Sequence, residues 1–263
     1  MATQVSVIQF AGRLSNTMGT RRGKKNEMHM QRYVEKEDVE SHPAFENTRR
    51  NMSEFKGASM AVTNLMGCFG GKGRGFGGKN YRAKLLRETL AMVKRGPGDD
   101  GSRSFLVAGN AYDLRGYNLN ESELFTSRFM DVPTPVVNTD RNQAVLTFPS
   151  FVADEVVIAP QGAHWFKLRL YVGALSDLEK GSTGKYESVN PNTNRLSGIA
   201  TSAPQPIHGA ISGITLTATL PGSPVLPSTA GLVVALSIEF FKEVNGNLNL
   251  LAAGNALQII DVY

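Results

Sequence analysis

Trp165-Phe166-Lys167-Leu168-Arg169-Leu170-Tyr171-Val172 alternates along its length. Successive side chains of a strand point to opposite faces. Phe166, Leu168, Leu170 and Val172 therefore share one face, and Trp165, Lys167, Arg169 and Tyr171 share the other. The first set suits a core. The second mixes Trp165 and Tyr171 with two cations, and the alternation reads as a pleated strand.

Outward from it, short apolar runs recur after about residue 103, separated by clusters of Gly, Pro, Asn and Ser. Strands are expected near Ser104–Ala108, Leu124–Val132, Gln143–Phe148, Glu155–Ala159, His164–Gly173, Ile207–Leu220, Gly231–Phe241, Leu248–Ala252 and Ala256–Val262. Asn245-Gly246 lies between two of them and signals a type I′ hairpin, whose two central positions need positive φ. Lys180–Ser202 is polar, and Pro204, Pro206, Pro221, Pro224 and Pro227 punctuate the chain beyond it, as long connections at one end of a sandwich would. Many short strands with turn clusters predict an antiparallel β-sandwich over 103–263.

Residues 1–102 read differently. Val5, Val7 and Gln9 alternate with Ser6, Ile8 and Phe10, and short strands are expected again at Thr17–Thr20 and Glu27–Val34, forming a meander. Arg21-Arg22-Gly23-Lys24-Lys25 is its basic turn, and Glu35–Glu40 an acidic connector. Pro43 suits a first helical turn, because it has no N–H to leave unsatisfied. A helix is predicted over Pro43–Met66, with Phe45, Met52, Phe55, Val62 and Met66 as its core stripe and Arg49, Arg50 and Lys56 largely off it. A second helix is predicted over Tyr81–Lys94, with Leu86, Leu90 and Val93 on one face. Between them, Gly67–Lys79 holds seven glycines in thirteen residues. Each glycine costs a helix about 1 kcal/mol against alanine, so a flexible loop is expected. Gly96-Pro97-Gly98-Asp99-Asp100-Gly101 stops the second helix and marks the expected boundary. The fold class is α+β: an N-terminal strand meander plus two helices (1–102), then the antiparallel β-sandwich (103–263).

The 263 residues are 41% hydrophobic and 19% charged, enough to bury a core. Cys68 is the single cysteine, so neither an intrachain disulfide nor a multi-cysteine zinc site can form. The N-terminus has no basic n-region followed by an apolar run, and no signal peptide is expected. The longest apolar stretch, Gly231–Phe241, is broken by Ser237 and Glu239 and falls short of the ~20 residues of a membrane span. The expected location is cytoplasmic, or the virion if the chain is phage-encoded. Residues 1–100 hold 18 Lys+Arg against 10 Asp+Glu, and residues 101–263 hold 10 against 13. A positive front and a mildly negative back suit nucleic acid or head-to-tail association.

Gly73-Arg-Gly75-Phe-Gly-Gly78 is formally G-x-G-x-x-G, but a helix precedes it instead of a strand, so it is no dinucleotide fingerprint. No Lys-Ser/Thr pair comes after it to make a Walker loop. The candidate nucleic-acid or subunit contacts are Arg21, Arg22, Lys24 and Lys25 in the first basic cluster, and Lys72, Arg74 and Lys79 in the glycine loop, where Phe76 is interleaved as in an RGG-type segment. His29, His42, His164 and His208 show no zinc spacing. Asp99-Asp100 is turn chemistry, and Asp154-Glu155 would point to opposite faces of a strand. Cys68 reads as a small apolar residue at a helix end. No catalytic, cofactor or metal site is expected, and the chain is read as not an enzyme.

Pro43-Ala-Phe-Glu-Asn-Thr-Arg-Arg-Asn-Met-Ser-Glu-Phe55, Phe148-Pro-Ser-Phe-Val with Ala163-His-Trp-Phe-Lys, and Phe240-Phe-Lys-Glu-Val-Asn-Gly246 resemble segments of a family of roughly 260-residue, functionally uncharacterised proteins from Bacteroidetes. The likeness is specific at the first and last segments and loose between them. Gly67–Lys79 stands inserted where that family runs on as a helix, and His42 stands where it tends to have an acid. The family has no established activity, so the resemblance supplies no site. It implies that the two parts travel together as one protein.

The expected function is a non-enzymatic structural protein that self-associates into a filament, tube or shell, its partner being itself. One alternative is a nucleic-acid-associated coat protein with a basic N-terminal arm. The other is a β-sandwich binding module for carbohydrate or protein, with Trp165 and Tyr171 as stacking residues.

Overall fold

A computed structural model describes residues 2–3, 12–14, 17–22, 25–30 and 34–263. Its contacts divide the chain into two units, Met1–Arg50 and Asn51–Tyr263.

In the first unit, β1 (Ala2–Thr3), β2 (Gly12–Leu14), β3 (Thr17–Arg22) and β4 (Lys25–Met30) form an antiparallel sheet in the order β1-β4-β3-β2. β2, β3 and β4 make the expected meander, but β1 joins at the far edge beside β4. The alternating stretch Val5–Phe10 lies outside the described residues. The acidic connector is helical: α1 spans Lys36–Ser41, where Glu35 and Asp38 form a capping box and the Glu35 N–H donates to the Asp38 carboxylate at 3.3 Å. His42 then caps one 3-10 turn, Pro43–Phe45, by accepting the Ala44 N–H at 3.2 Å.

α2 runs Glu46–Gly67 and α3 runs Tyr81–Arg95, close to expectation. Their buried faces match the expected ones only in part: Val62, Met66 and Val93 are buried, and Leu86 and Leu90 pack half-buried against the same core. Met52 and Phe55 are 48% and 49% exposed, while Glu54, Gly57, Ala58, Ala61, Val62 and Leu65 are buried. The contact face of α2 is made by small residues that allow close approach. A Cβ on Gly57 would meet the Tyr186 ring at 2.8 Å. In α3 the face is rotated by one residue, to Leu85, Thr89, Met92 and Val93. Thr89 tolerates burial because its hydroxyl donates to the Leu85 carbonyl at 2.9 Å. The glycine loop is a defined turn: a 3-10 segment, Lys72–Phe76, is anchored by buried Phe69, Gly73 and Phe76.

The remaining elements are α4 (Ala111–Leu114), β5 (Val136–Val137), β6 (Gln143–Phe148), β7 (Phe151–Val152), α5 (Ala153–Val156), β8 (Trp165–Ser176), β9 (Leu178–Lys180), β10 (Tyr186–Ser188), β11 (Ser197–Thr201), β12 (Gln205–Pro206), β13 (Ala210–Ile211), β14 (Ile214–Thr219), β15 (Ala230–Val244), β16 (Asn247–Leu250) and β17 (Ala256–Val262). Three expected strands are not strands. Ser104–Ala108 keeps one bridge, Phe105 to Leu178; Leu124–Val132 is a 3-10 turn with a bridge from Phe129 to Val157; Glu155–Ala159 begins in α5. Their apolar residues, Phe105, Val107, Phe125 and Phe129, are buried anchors set in connections.

β8 and β15 pair antiparallel from Trp165–Phe241 to Ser176–Ala230. β11 and β12 flank β8, and β16 and β17 flank β15. The β15–β16 hairpin turns at Asn245 (φ 52°) and Gly246 (φ 77°), the expected I′ geometry. A second sheet, β14-β6-β5, covers one face, and the core between holds Phe166, Leu168, Leu170 and Val172 with Ala144, Leu146 and Phe148. On the opposite face, Tyr171, Leu175, Val233 and Ile259 pack with Ala58, Leu65 and Met92 of the helices. The sheet is thus covered by apolar side chains on both faces near Tyr171, whereas Trp165, Lys167 and Arg169 are half-buried, which is why its second face alternates only in part.

The expected boundary at 102/103 is not where the contacts divide. Glu54 of α2, only 2% exposed, accepts the Gly101 N–H at 2.9 Å and faces Arg103 at 3.2 Å, so the helix pair belongs with the sandwich. The charge asymmetry moves with the division. Met1–Arg50 carries 9 Lys+Arg against 6 Asp+Glu and Asn51–Tyr263 carries 19 against 17, so both units are mildly basic.

Candidate functional site

Of the seven candidate contact cations, four fall in the first hairpin. Arg21 pairs with Asn26 and Arg22 with Lys25 across β3 and β4. Lys24 lies outside the described residues, as do the side chains of Arg21, Arg22 and Lys25.

The three loop cations go to different places. Arg74 lines a depression of about 390 Å³ together with Arg82 and Arg195. Lys79 lines another of about 320 Å³, where Lys84 pairs with Glu121. Burial raises the Glu239 carboxyl above its usual value, and the charges of Arg169, Lys167 and, least of the three, Lys72 draw it part of the way back. Phe76, the aromatic that would stack on a base, is 5% exposed. Arg82 and Arg195 carry no signal in the linear sequence: Arg82 comes from the first turn of α3 and Arg195 from the stretch before β11, brought together by the fold.

The Trp165 end of the sheet is a polar ladder. Trp165 Nε1 donates to Glu243 at 2.8 Å, Arg169 faces Glu239 at 2.8 Å, and Lys167 sits 5.0 Å over the Phe241 ring. Tyr171, expected beside Trp165 as a stacking residue, is fully buried, with its hydroxyl 3.4 Å from Ser237. Trp165 and Tyr171 therefore cannot form one carbohydrate platform.

The histidines serve local structure. His29 contacts Thr20 at 3.1 Å, His42 caps a turn, and His164 accepts the Glu243 N–H at 3.3 Å. His208 bonds Asp154, whose carboxyl is held below the usual range, first by the Gly209 N–H and then by His208. That pair has the first two members of a relay but no hydroxyl or thiol bonded to the ring among the described residues. The expected strand geometry of Asp154-Glu155 gives way to α5, whose first turn both carboxylates occupy. Glu123 pairs with Arg128 at 2.7 Å, and Asp100 pairs with Arg103. Cys68 is fully buried, and burial pushes its thiol up to about 12. Among the described residues no three His, Cys, Asp or Glu side chains form a group fit for a metal ion, and no helix is long and apolar enough to cross a membrane.

Comparison of the chain with protein-family models, with curated proteins and with solved structures finds no match.

Proposed function

We propose that the protein is a non-enzymatic structural component that associates with further copies of itself through its N-terminal unit. One observation carries this reading: Gly19 is the only buried residue among the described residues of Met1–Arg50 whose side chains are placed. A four-stranded sheet that buries little apolar surface is at the edge of independent stability in water, and the placed side chains of this one, at 17–20 and 27–30, bury none beyond Gly19. The cross-strand register puts Met28 and Met30 on one face, opposite Gly19 and Thr17. Met30 is 83% exposed.

Methionine on an open sheet face beside small residues favours burial against an apolar surface. Every copy presents the same face, and a two-fold axis would set two such faces against each other in an isologous contact. Among the described residues no strand pairs with the outer edges of β1 and β2, and such an edge can take a strand from a neighbour. Charge complementarity between the two units does not support the reading, because both are mildly basic.

Sedimentation velocity and negative-stain imaging of the full chain test it. Concentration-dependent oligomers or polymers are expected, reduced to monomer by Met30→Glu. A wild-type protein that stays monomeric at about 100 μM, where even weak contacts would populate dimers, would remove the proposal.

A further inference from the structure

The depression shared by Arg74, Arg82 and Arg195 departs from ordinary surface chemistry. No carboxylate lines it, and none of the three guanidiniums has an ion-pair partner among the described residues. Arg82 donates to the Thr63 hydroxyl at 3.0 Å, and that hydroxyl donates onward to the Ser59 carbonyl at 2.9 Å, so Arg82 is held in place. Among the described residues the side chains of Arg74 and Arg195 make no hydrogen bond, although both line the depression. Ser197 adds a second hydroxyl to the wall.

Two local preferences are broken to build this place. Arg195 has φ 69°, a left-handed backbone that costs a residue with a side chain about 1 kcal/mol or more. It is fixed by its N–H donating to the Ala174 carbonyl at 2.8 Å. Its side chain lies across Gly67, where a Cβ would come within 2.8 Å of Nε. Arg82 stands in the first turn of α3, the positive end of the helix dipole, where a cation is disfavoured and no acid offsets it. Gly70 has φ 56° and a Cβ there would meet Ser197 Oγ and Ile199 Cδ1 at 3.1 Å, so glycine suits the close approach of the loop to this wall.

Capping of α2 does not account for the arginines. The carbonyls of Asn64, Leu65, Met66 and Gly67 already accept backbone N–H groups of Cys68, Phe69 and Gly70. The helix end offers about half a negative charge, against three guanidiniums.

We propose that this depression is a binding site for a phosphate group, borne by inorganic phosphate or by a small phosphate ester. Guanidinium forks match phosphate oxygens in pairs, and a triple positive charge favours a dianion over a carboxylate. The volume of about 390 Å³ leaves room beyond one phosphate. Met66 is its one apolar side chain and no aromatic lines it, which favours a polar ester over a stacked base.

Titration calorimetry at low ionic strength, on the full chain, tests the site with inorganic phosphate, a sugar monophosphate and a twenty-nucleotide single-stranded DNA. Saturable binding of one phosphate or one ester per chain is expected. Tighter binding of the sugar phosphate identifies an ester site, and equal binding a phosphate site. Arg74→Gln and Arg195→Gln should each weaken binding by about tenfold or more. Lys94→Gln, which removes one exposed charge at the far end of α3, should leave it within about twofold. Arg74 is exposed and makes no side-chain hydrogen bond among the described residues, so its variant reads the site and not the fold. Absence of saturation by about 10 mM phosphate and ester, equal weakening by Lys94→Gln, or binding of the DNA alone would each overturn the assignment.

Discussion

A Cβ on Gly173 would stand 2.2 Å from the Cβ of Cys68 and 2.4 Å from its Cα. The residue that follows α2 therefore rests directly on the backbone of β8. Cys68 Sγ completes the contact, 3.5 Å from the carbonyls of Ala174 and Asn64. Because backbone and Cβ fill the gap, Gly173→Ala is expected to destabilise the protein by about 3 kcal/mol, the upper range for overpacking. Cys68→Ala retains the offending atoms and should not rescue it. Urea unfolding of the two single variants and the double variant checks both statements; a cost for Gly173→Ala below about 1 kcal/mol would mean that β8 and α2 can move apart.

The same burial makes the Cys68 thiol inert. Desolvation pushes it up to about 12, and its backbone hydrogen bond and the nearby Arg195 charge pull only weakly the other way. At neutral pH the thiolate fraction is on the order of one in 10⁵. Ellman's reagent should therefore leave the native protein unlabelled over hours and react within minutes in denaturant. Rapid native labelling would show that the α2 end opens.

Two strands and a hairpin turn were legible in the sequence at their exact bounds. Gln143–Phe148 and Ala256–Val262 fall on their expected bounds, and the Asn245-Gly246 turn has the expected backbone. The helix faces were legible only in part, because apolar size was a poor guide. Gly57, Ala58 and Ala61 make the contact face of α2, whereas Phe55 and Met52 point outward. Runs such as Leu124–Val132 have strand composition but serve as connections, with Phe125 and Phe129 packed into the core from a turn. Of the arginine depression, Arg74 alone was marked by its glycine-rich setting. Arg82 and Arg195 are separated by more than a hundred residues and meet only through β11 and α3, which no local pattern encodes.

Glu54 ties α2 to the Gly101–Arg103 turn. Its side chain is 3% exposed, while that of Arg103 is 25% exposed and also reaches Asp100. Removing the carboxylate leaves the Gly101 N–H without its acceptor and Arg103 with one partner. Glu54→Ala should cost about 2–3 kcal/mol. Glu54→Gln keeps an acceptor for Gly101 and should cost about 1 kcal/mol. Equal costs in guanidinium denaturation would show that packing of the side-chain stem, not the Gly101 bond, carries the effect.

Asp177 links stability to pH in the sense opposite to a salt-bridged carboxylate. It is 6% exposed, and burial foremost raises its carboxyl above the ordinary 3.8, against the Val107 N–H donating to Oδ1 at 2.6 Å and with Glu179 adding repulsion. The folded state therefore holds this proton to higher pH than the unfolded chain. Between 3.8 and the folded value the native state binds more protons, so the contribution of Asp177 to stability falls as pH rises through that window and is level above it. Glu239, also raised by burial, acts in the same direction, and Asp154, lowered by the Gly209 N–H and His208, acts in the opposite one. Whole-protein curves mix the three, so the difference between wild type and Asp177→Asn isolates one. The amide oxygen can still accept the Val107 N–H. The variant should therefore gain stability relative to wild type as pH rises from about 4 to 7, with the gain complete once Asp177 is ionised. Parallel curves across that range in urea titrations would show that Asp177 titrates alike in the folded and unfolded chain.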